Sequence, residues 1–182
     1  MRIIGGRWRG KQIAAPPGSR VRPTTDKVRE AWMSMVHKYV LDARVLDLFA
    51  GSGALGLEAL SRGAKAVDFI ESDRISLTGL ERNISELGAV QSAKVHRADA
   101  LKFLDGLPAG RYDLAFADPP YRQGLARQVI DRWMACRFSA VIGVEHESDE
   151  RMPAGGETRR YGATSITLFG ERFSAAASER PE

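Results

Sequence analysis

The sequence predicts an α/β fold: a doubly wound, mostly parallel seven-stranded sheet whose last two strands form an antiparallel hairpin. Three observations carry this. Short apolar runs alternate with segments of helical period between Val45 and Met134, the pattern of strands joined by crossover helices. The first run breaks into Gly51-Ser52-Gly53-Ala54-Leu55-Gly56 before a helical segment resumes, a turn that lets a ligand approach the backbone where no Cβ intervenes. The last two runs are separated only by Gly162-Ala163, a hairpin connection.

Taken in order, residues 1–22 mix short apolar pairs with glycine and basic residues. They predict a small hairpin with Ile3-Ile4 and Gln12-Ile13-Ala14 as its arms. Pro23-Thr24-Thr25-Asp26 is a helix start, followed by Val28, Ala31, Trp32, Met35, Val36 and Tyr39 on one apolar stripe. The opening strand begins at Val45 and breaks into the glycines, and Ala54 to Leu60 form the next helix. Ala66–Glu71 is the second strand, and Leu77, Leu80, Ile84 and Leu87 mark a helix ending at Gly88. Lys94–Asp99 is the third strand and Tyr112–Ala117 the fourth. Leu125, Val129, Ile130, Trp133 and Met134 form a helix before the fifth strand, Ser139–Glu145. Thr158–Tyr161 and Ser165–Phe169 make the hairpin, and residues 174–182 read as a disordered tail. The expected organisation is thus a basic arm over residues 1–22, one domain over 23–173 and a tail over 174–182.

Composition narrows the function. The 182 residues suit one domain with a single core. One cysteine, Cys136, excludes a disulfide framework or a thiolate cluster within the chain, and His37, His96 and His146 match no metal spacing. No metal is expected. No apolar run approaches the roughly 20 residues of a membrane span, and the N-terminal arginines lack the apolar stretch of a signal peptide. The expected location is the cytoplasm. Charge is uneven: residues 1–40 carry nine Lys/Arg against Asp26 and Glu30, so the remainder is slightly acidic. A basic arm on an acidic body points to a polyanion. Arg7, Trp8, Arg9, Lys11 and Arg20 in that arm, with Arg22, Thr24 and Arg29 at the helix mouth, are candidate substrate contacts; a basic patch with an aromatic inside it suits phosphates and a stacked base. The competing reading is a solubilising terminus whose Trp8 packs on the body.

Residues Gly51 to Gly56 satisfy G-x-G-x-x-G, and Glu71 stands twenty residues after Gly51 at a strand end, where an acid fits ribose hydroxyls. This is a Rossmann-like nucleotide site. Asp47 decides between ligands: its charge opposes a pyrophosphate and favours the ammonium of a methionine moiety, so S-adenosylmethionine is expected over a dinucleotide. Candidate cofactor contacts are Asp47, Phe49, Ala50, Gly51, Ser52, Gly53, Glu71, Ser72, Asp99, Ala100 and Asp118. Asp99-Ala100, at the end of the third strand, would face the adenine edge. An ordinary tight turn with a chance glycine pattern is the bland alternative.

The fourth strand runs into Asp118-Pro119-Pro120-Tyr121. Two prolines stiffen the backbone and remove N–H donors, leaving the Asp118 carboxylate and the Pro119 carbonyl as acceptors. An exocyclic base amine is a poor nucleophile because its lone pair is delocalised into the ring. Two acceptors holding its hydrogens out of plane localise that pair toward a methyl donor. Tyr121 supplies a face on which the base stacks. These four are the candidate catalytic residues.

D-P-P-[YF] together with Asp47-x-Phe49-Ala50-Gly51-Ser52-Gly53 resembles amino-N methyltransferases of nucleobases. The string Met1-Arg2-Ile3-Ile4-Gly5-Gly6-x-Trp8-Arg9-Gly10, the string Arg22-Pro23-Thr24-Thr25-Asp26-x-Val28-Arg29-Glu30, the stretch from Leu46 to Arg62, Asp118-Pro119-Pro120 and Tyr161-Gly162 make the resemblance narrower. The chain is similar to the bacterial 16S rRNA guanine-N2 methyltransferase family (RsmD) over residues 1 to about 170. That resemblance implies a class I S-adenosylmethionine-dependent methyltransferase fold, methyl transfer to a guanine amine of 16S rRNA, and the assembled small ribosomal subunit as substrate. A monomer is expected. An adenine-N6 DNA methyltransferase would want a sizeable target-recognition region, for which no stretch is long enough. A NAD-dependent oxidoreductase would leave Asp118-Pro119-Pro120-Tyr121 and the basic arm unexplained, and that intact motif also argues against a non-catalytic RNA-binding module.

Overall fold

In the computed structural model, which describes residues 1–15 and 26–174, strand β1 (Arg44–Leu48) sits at the point where the strand order reverses. On one side it pairs in parallel with β2 (Ala66–Glu71), which pairs with β3 (Ala93–Arg97). On the other it pairs in parallel with β4 (Tyr112–Ala117), followed by β5 (Ser139–Glu147). Strand β7 (Thr164–Gly170) adds antiparallel to β5, and β6 (Glu157–Tyr161) adds antiparallel to β7. The order is β3-β2-β1-β4-β5-β7-β6, seven strands in one sheet. The expected doubly wound sheet with a terminal antiparallel hairpin is the observed one. Gly162, with φ +69°, turns that hairpin.

Helices cover both faces. One core gathers Trp32, Met33 and Val36 of α1 (Asp26–Val36), Leu57 and Leu60 of α2 (Ala54–Ser61), and Leu80 and Ile84 of α3 (Arg74–Glu86) against Val45, Val67, Phe69 and Phe116 of the sheet. The other gathers Leu104 of α4 (Ala100–Asp105) and Val129, Ile130 and Trp133 of α5 (Leu125–Cys136) against Leu46, Leu48, Ala115 and Ile142. Burial on both faces explains why β1 and β4 read as continuous apolar runs rather than alternating ones. The Trp32 ring meets Phe116 edge-on, centroids 5.7 Å apart at 88°.

Some boundaries differ from the expectation. β3 stops at Arg97, because Asp99 leaves the sheet to cap α4, its carboxylate accepting from Lys102 N at 2.9 Å. α4 itself is unanticipated, as is the short α6 (Glu171–Ser174); elements of four to six residues carry less than two turns of period. α6 takes in Ser174, the first residue assigned to the tail; residues 175–182 lie outside the described part of the chain. α1 ends at Val36, and Tyr39 belongs to a following 3-10 turn, His37–Tyr39.

Residues 1–15 of the arm fold back on themselves, with an antiparallel bridge between Arg2 and Gln12 and a 3-10 turn at Gly6–Trp8. It does not stand apart from the body. Ile3, Trp8 and Ile13 are buried in the same core as α1, α2 and α3.

The glycine at position 56 shows how closely α2 lies on the sheet. A Cβ there would overlap the ring edge of Phe69 and lie 2.8 Å from Val67 Cγ1, and both neighbours are buried in the core. Alanine is normally better than glycine inside a helix by about 1 kcal/mol, but overpacking costs about 1–3 kcal/mol. Gly56→Ala should therefore lower stability by about 1–2 kcal/mol in urea titrations; a variant as stable as wild type would mean that Phe69 can yield.

Candidate active site

β1 and β4 run side by side in register, Leu48 opposite Ala117, so Phe49 and Asp118 leave neighbouring strand ends together. That is the topological switch point, where open α/β sheets bind ligands beyond the carboxyl ends of their strands. The chain leaves β1 in an unusual conformation: Phe49 has φ +58°, and Gly51 and Gly53 follow at +54° and +79°. A non-glycine residue held in the left-handed region costs energy and marks a constrained site. Gly53 caps α2 in that conformation, with Leu80 so near that any Cβ would collide with it.

Side chains from neighbouring elements tie the loop. Glu71, at the end of β2, accepts from Gly51 N at 2.8 Å with one oxygen and from Ser72 N and Asp73 N, at 2.7 and 2.8 Å, with the other. Ala50 N bonds to Ile70 O at 3.0 Å. From the opposite side Asn83 of α3 donates to Ser52 O at 2.9 Å. Asp47 points into α2, where it accepts from Gly56 N at 2.8 Å.

Asp47 is buried, and its carboxyl is held well above the ordinary carboxylate range. Burial is the main cause; the Gly56 N–H partly opposes it, and repulsion from Asp118 and Glu71 adds to it. Three carboxyl groups thus share one field around the glycine loop. Such a site disfavours a phosphate and suits a cation.

Beyond β4, Asp118 is half-buried, Pro119 buried and Pro120 exposed. Tyr121 is half-buried with its hydroxyl directed into the sheet: it donates to Glu145 Oε1 at 2.8 Å, and lies 2.8 Å from Thr164 Oγ1. Burial first, then the neighbouring Glu145 and Asp118 charges, push the phenol up and keep it protonated, against the opposing Thr164 contact. The hydroxyl, given no role by the sequence, fixes where the ring stands. Glu145 and Thr164 carry no motif; only the pairing of β5 with β7 brings them there.

Several predicted contacts come out differently. Trp8 is 8% exposed, with the Arg7 guanidinium 4.1 Å above its ring, so it packs on the body and offers no open stacking face. Arg29 is 1% exposed; it donates to Arg2 O at 2.6 Å and pairs with Asp26 at 2.9 Å. It staples α1 to the arm, its guanidinium turned away from solvent. Asp99 is exposed and spends its carboxylate as a helix cap, and Ala100 beside it is buried. Arg7, Arg9 and Lys11 do face solvent. Arg20, Arg22 and Thr24 lie outside the described residues.

The residues missed by sequence reading are those that seat the arm. Glu58, fully buried in α2, accepts from Ile4 N and Gly5 N, both at 2.8 Å, and from Arg62 Nε. Ser61 accepts from Trp8 N at 2.9 Å and donates to Gly5 O at 2.6 Å. A cavity of about 750 Å³ lined by Tyr112, Trp133, Ser139 and Phe169 lies by the opposite strand ends and contains none of the motif residues. Among the described residues no helix is long and apolar enough to cross a membrane, and no three His, Cys, Asp or Glu side chains are grouped to hold a metal ion.

Comparison with known proteins agrees with this architecture. The chain is 42% identical over 160 residues to ribosomal RNA small subunit methyltransferase D of Escherichia coli K12, covering 84% of this chain and 78% of that one. The solved structure of yhhF from Escherichia coli is 38% identical, with a TM-score of 0.80, and covers 92% of this chain and 96% of its own. The human methyltransferase 10 domain containing protein shares the fold alone, 14% identical at a TM-score of 0.70 over 88% of each chain. The family model described as conserved hypothetical protein 95 matches residues 1–170, and with the relatives above it establishes that the chain belongs to that family, the RsmD family of class I methyltransferases.

Proposed function

We propose that this protein transfers a methyl group from S-adenosylmethionine to the exocyclic N2 amine of a guanine in 16S rRNA, within the assembled small ribosomal subunit and in the cytoplasm. The observation that carries the reading is the register of β1 with β4, which sets Asp118-Pro119-Pro120-Tyr121 beside the glycine loop. The carboxyl groups of Asp47, Glu71 and Asp118 fit a cationic cofactor, because Asp118 and Glu71 add to the cost of charging the buried Asp47. The relatives named as rRNA methyltransferases and the exposed Arg7, Arg9 and Lys11 support an RNA substrate.

In this reading Phe49, Ala50, Gly51, Ser52 and Gly53 form the floor of the cofactor site. Glu71 keeps acceptor capacity for ribose hydroxyls while holding Gly51 N, with Ser72 beside it. Asp99 and Ala100 flank the adenine edge through their backbone. The cofactor, once bound, supplies an electrophilic methyl group. The protein's part is placement: Asp118 and the Pro119 carbonyl each accept one amine hydrogen, which turns the nitrogen lone pair toward the methyl. As the nitrogen–methyl bond forms and the donor's carbon–sulfur bond breaks, Asp118 would stabilise the positive charge that grows on the amine and then accept the proton it releases, passing it to solvent. Tyr121, pinned through its hydroxyl, presents its ring to the flipped base.

The deciding experiment is transfer of a labelled methyl group to small subunits, naked 16S rRNA and DNA, followed by nucleoside analysis. N2-methylguanosine from small subunits is expected; label in adenine, or only in DNA, overturns the proposal.

Single-turnover rates at saturating cofactor test the amine grip. Asp118→Asn keeps an oxygen acceptor and loses the charge, and should cost on the order of 10²–10³ in rate. Tyr121→Ala should lose ~1–3 kcal/mol of base stacking. Tyr121→Phe keeps the ring and most of the rate, but takes a donor from buried Glu145, so it should lower stability by ~1–3 kcal/mol. A wild-type rate for Asp118→Asn removes the mechanism.

Asp47 gives a pH test. Its carboxyl is raised in the folded state, so the stability it allows is complete below the ordinary carboxylate range and lost as pH rises through the raised value. Ligand-free Asp47→Asn should therefore melt higher than wild type at neutral pH, with the advantage vanishing below about pH 4. The same variant should bind S-adenosylmethionine and S-adenosylhomocysteine both more weakly, since both carry the ammonium that the Asp47 charge would face. Equal melting curves across that range would mean that the Asp47 carboxylate is not strained.

Arm contacts are read by salt. Neutralising Arg7, Arg9 or Lys11 singly should flatten the salt dependence of RNA binding by about one unit each and leave cofactor affinity in the absence of RNA unchanged. Unaltered slopes would remove these side chains from the interface.

A further inference from the structure

Asn83 is fully buried in the last turns of α3, an unusual place for an amide that belongs to neither motif. Its Oδ1 accepts from Ala14 N at 2.9 Å, and its Nδ2 donates to Ala14 O at 3.0 Å and to Ser52 O at 2.9 Å. It therefore pairs with both main-chain groups of residue 14, as a neighbouring strand would, and holds the middle residue of the glycine loop with the same group. The three bonds fix the orientation of the amide, since only its oxygen can accept from Ala14 N. The other side of the loop is held by Glu71 on Gly51 N. The same arm is bound upstream by Glu58 and Ser61 of α2, the helix that the loop begins.

We propose that Asn83 is a positioning residue that couples the arm to the cofactor loop, so that a ligand ordering one orders the other. The proposal rests on the reading above, in which the loop holds the cofactor and the arm meets RNA. A loop fixed by cofactor presents Ser52 O in place, which orients the Asn83 amide and secures Ala14. An arm seated by RNA secures Ala14 and, through the same amide, Ser52. Energetic coupling of this kind is reciprocal: the factor by which cofactor tightens RNA binding equals the factor by which RNA tightens cofactor binding. The basic side chains of the arm need not touch the cofactor for this to operate, because the connection runs from Ala14 to Ser52 through the Asn83 amide.

The test uses the full-length protein and S-adenosylhomocysteine as the probe, first without RNA. Hydrogen exchange at the Ile13 and Ala14 amides should slow on adding the probe by at least about fivefold, the lower end of ordinary allosteric factors. In wild type the affinity for small subunits should rise by that same factor with the probe bound, and the affinity for the probe should rise equally with subunits bound. Asn83→Ala should bind each ligand alone, with both enhancements lost and exchange at residues 13 and 14 insensitive to the probe. Rescue of the enhancement by Asn83→Gln, whose amide has the same donors and acceptor, would support the assignment further. Exchange at residues 13 and 14 unmoved by saturating probe in wild type overturns the coupling, and this measurement decides even if Asn83→Ala fails to fold. Retained enhancement in a folded Asn83→Ala also overturns it. Failure of wild type to bind S-adenosylhomocysteine at all would instead overturn the cofactor reading.

Discussion

The structure depends on a loop that must stay open and yet leave no backbone group unsatisfied. Phe49 to Gly53 belongs to neither β1 nor α2, and its left-handed turns deny it a regular ladder of hydrogen bonds. Buried amides and carbonyls without partners cost about 1–3 kcal/mol each, so partners must come from elsewhere. Glu71 supplies one from β2, Asn83 one from α3 and Ile70 one from the β2 backbone. Each of these elements is thereby placed with respect to the loop. The parallel register of β1 with β2 brings Ile70 and Glu71 level with the loop, and that of β1 with β4 brings Asp118 out beside it.

The motifs were legible in the sequence because each is a contiguous string whose chemistry is local. Gly51 to Gly56 and Asp118 to Tyr121 state their geometry through glycine and proline, whatever surrounds them. Glu71 could be found because one strand–turn–helix–strand unit has a nearly fixed length. Asn83, Glu58 and Ser61 could not. Their partners in the arm lie 53 to 69 residues away in sequence, and a polar residue in a helix ordinarily reads as a solvated face. Trp8 and Arg29 were misread for the converse reason. A basic string with an aromatic gives composition but not direction, and in this fold the indole and one guanidinium turn inward to close the joint between arm and body.

Charge around the loop explains why the site is costly when empty. Asp47 sits among apolar strand residues with two other carboxyl groups raising its affinity for a proton. Nothing in the core requires an acid at that position: Leu46 and Leu48, its neighbours in β1, are buried hydrophobes. An amide there would accept the same Gly56 N–H. The Asp47 charge is therefore costly in the ligand-free fold and would gain value with a cation beside it, as expected of a site kept for function rather than for packing.

The arm divides two kinds of work between its backbone and its side chains. Its main-chain N–H groups at Ile4, Gly5, Trp8 and Ala14 are taken by Glu58, Ser61 and Asn83, and its apolar side chains enter the core. Arg7, Arg9 and Lys11 remain outside. A polyanion meeting those three charges would meet a segment whose backbone partners are already in place, and so would have to supply only part of the entropy of ordering it, about 1–2 kcal/mol per residue. Preorganisation of this sort turns phosphate contacts directly into affinity. It would also fix where phosphates lie with respect to Asp118, because the arm is bonded to the helix that begins at the glycine loop, and the strand before that loop pairs with the one that ends at Asp118.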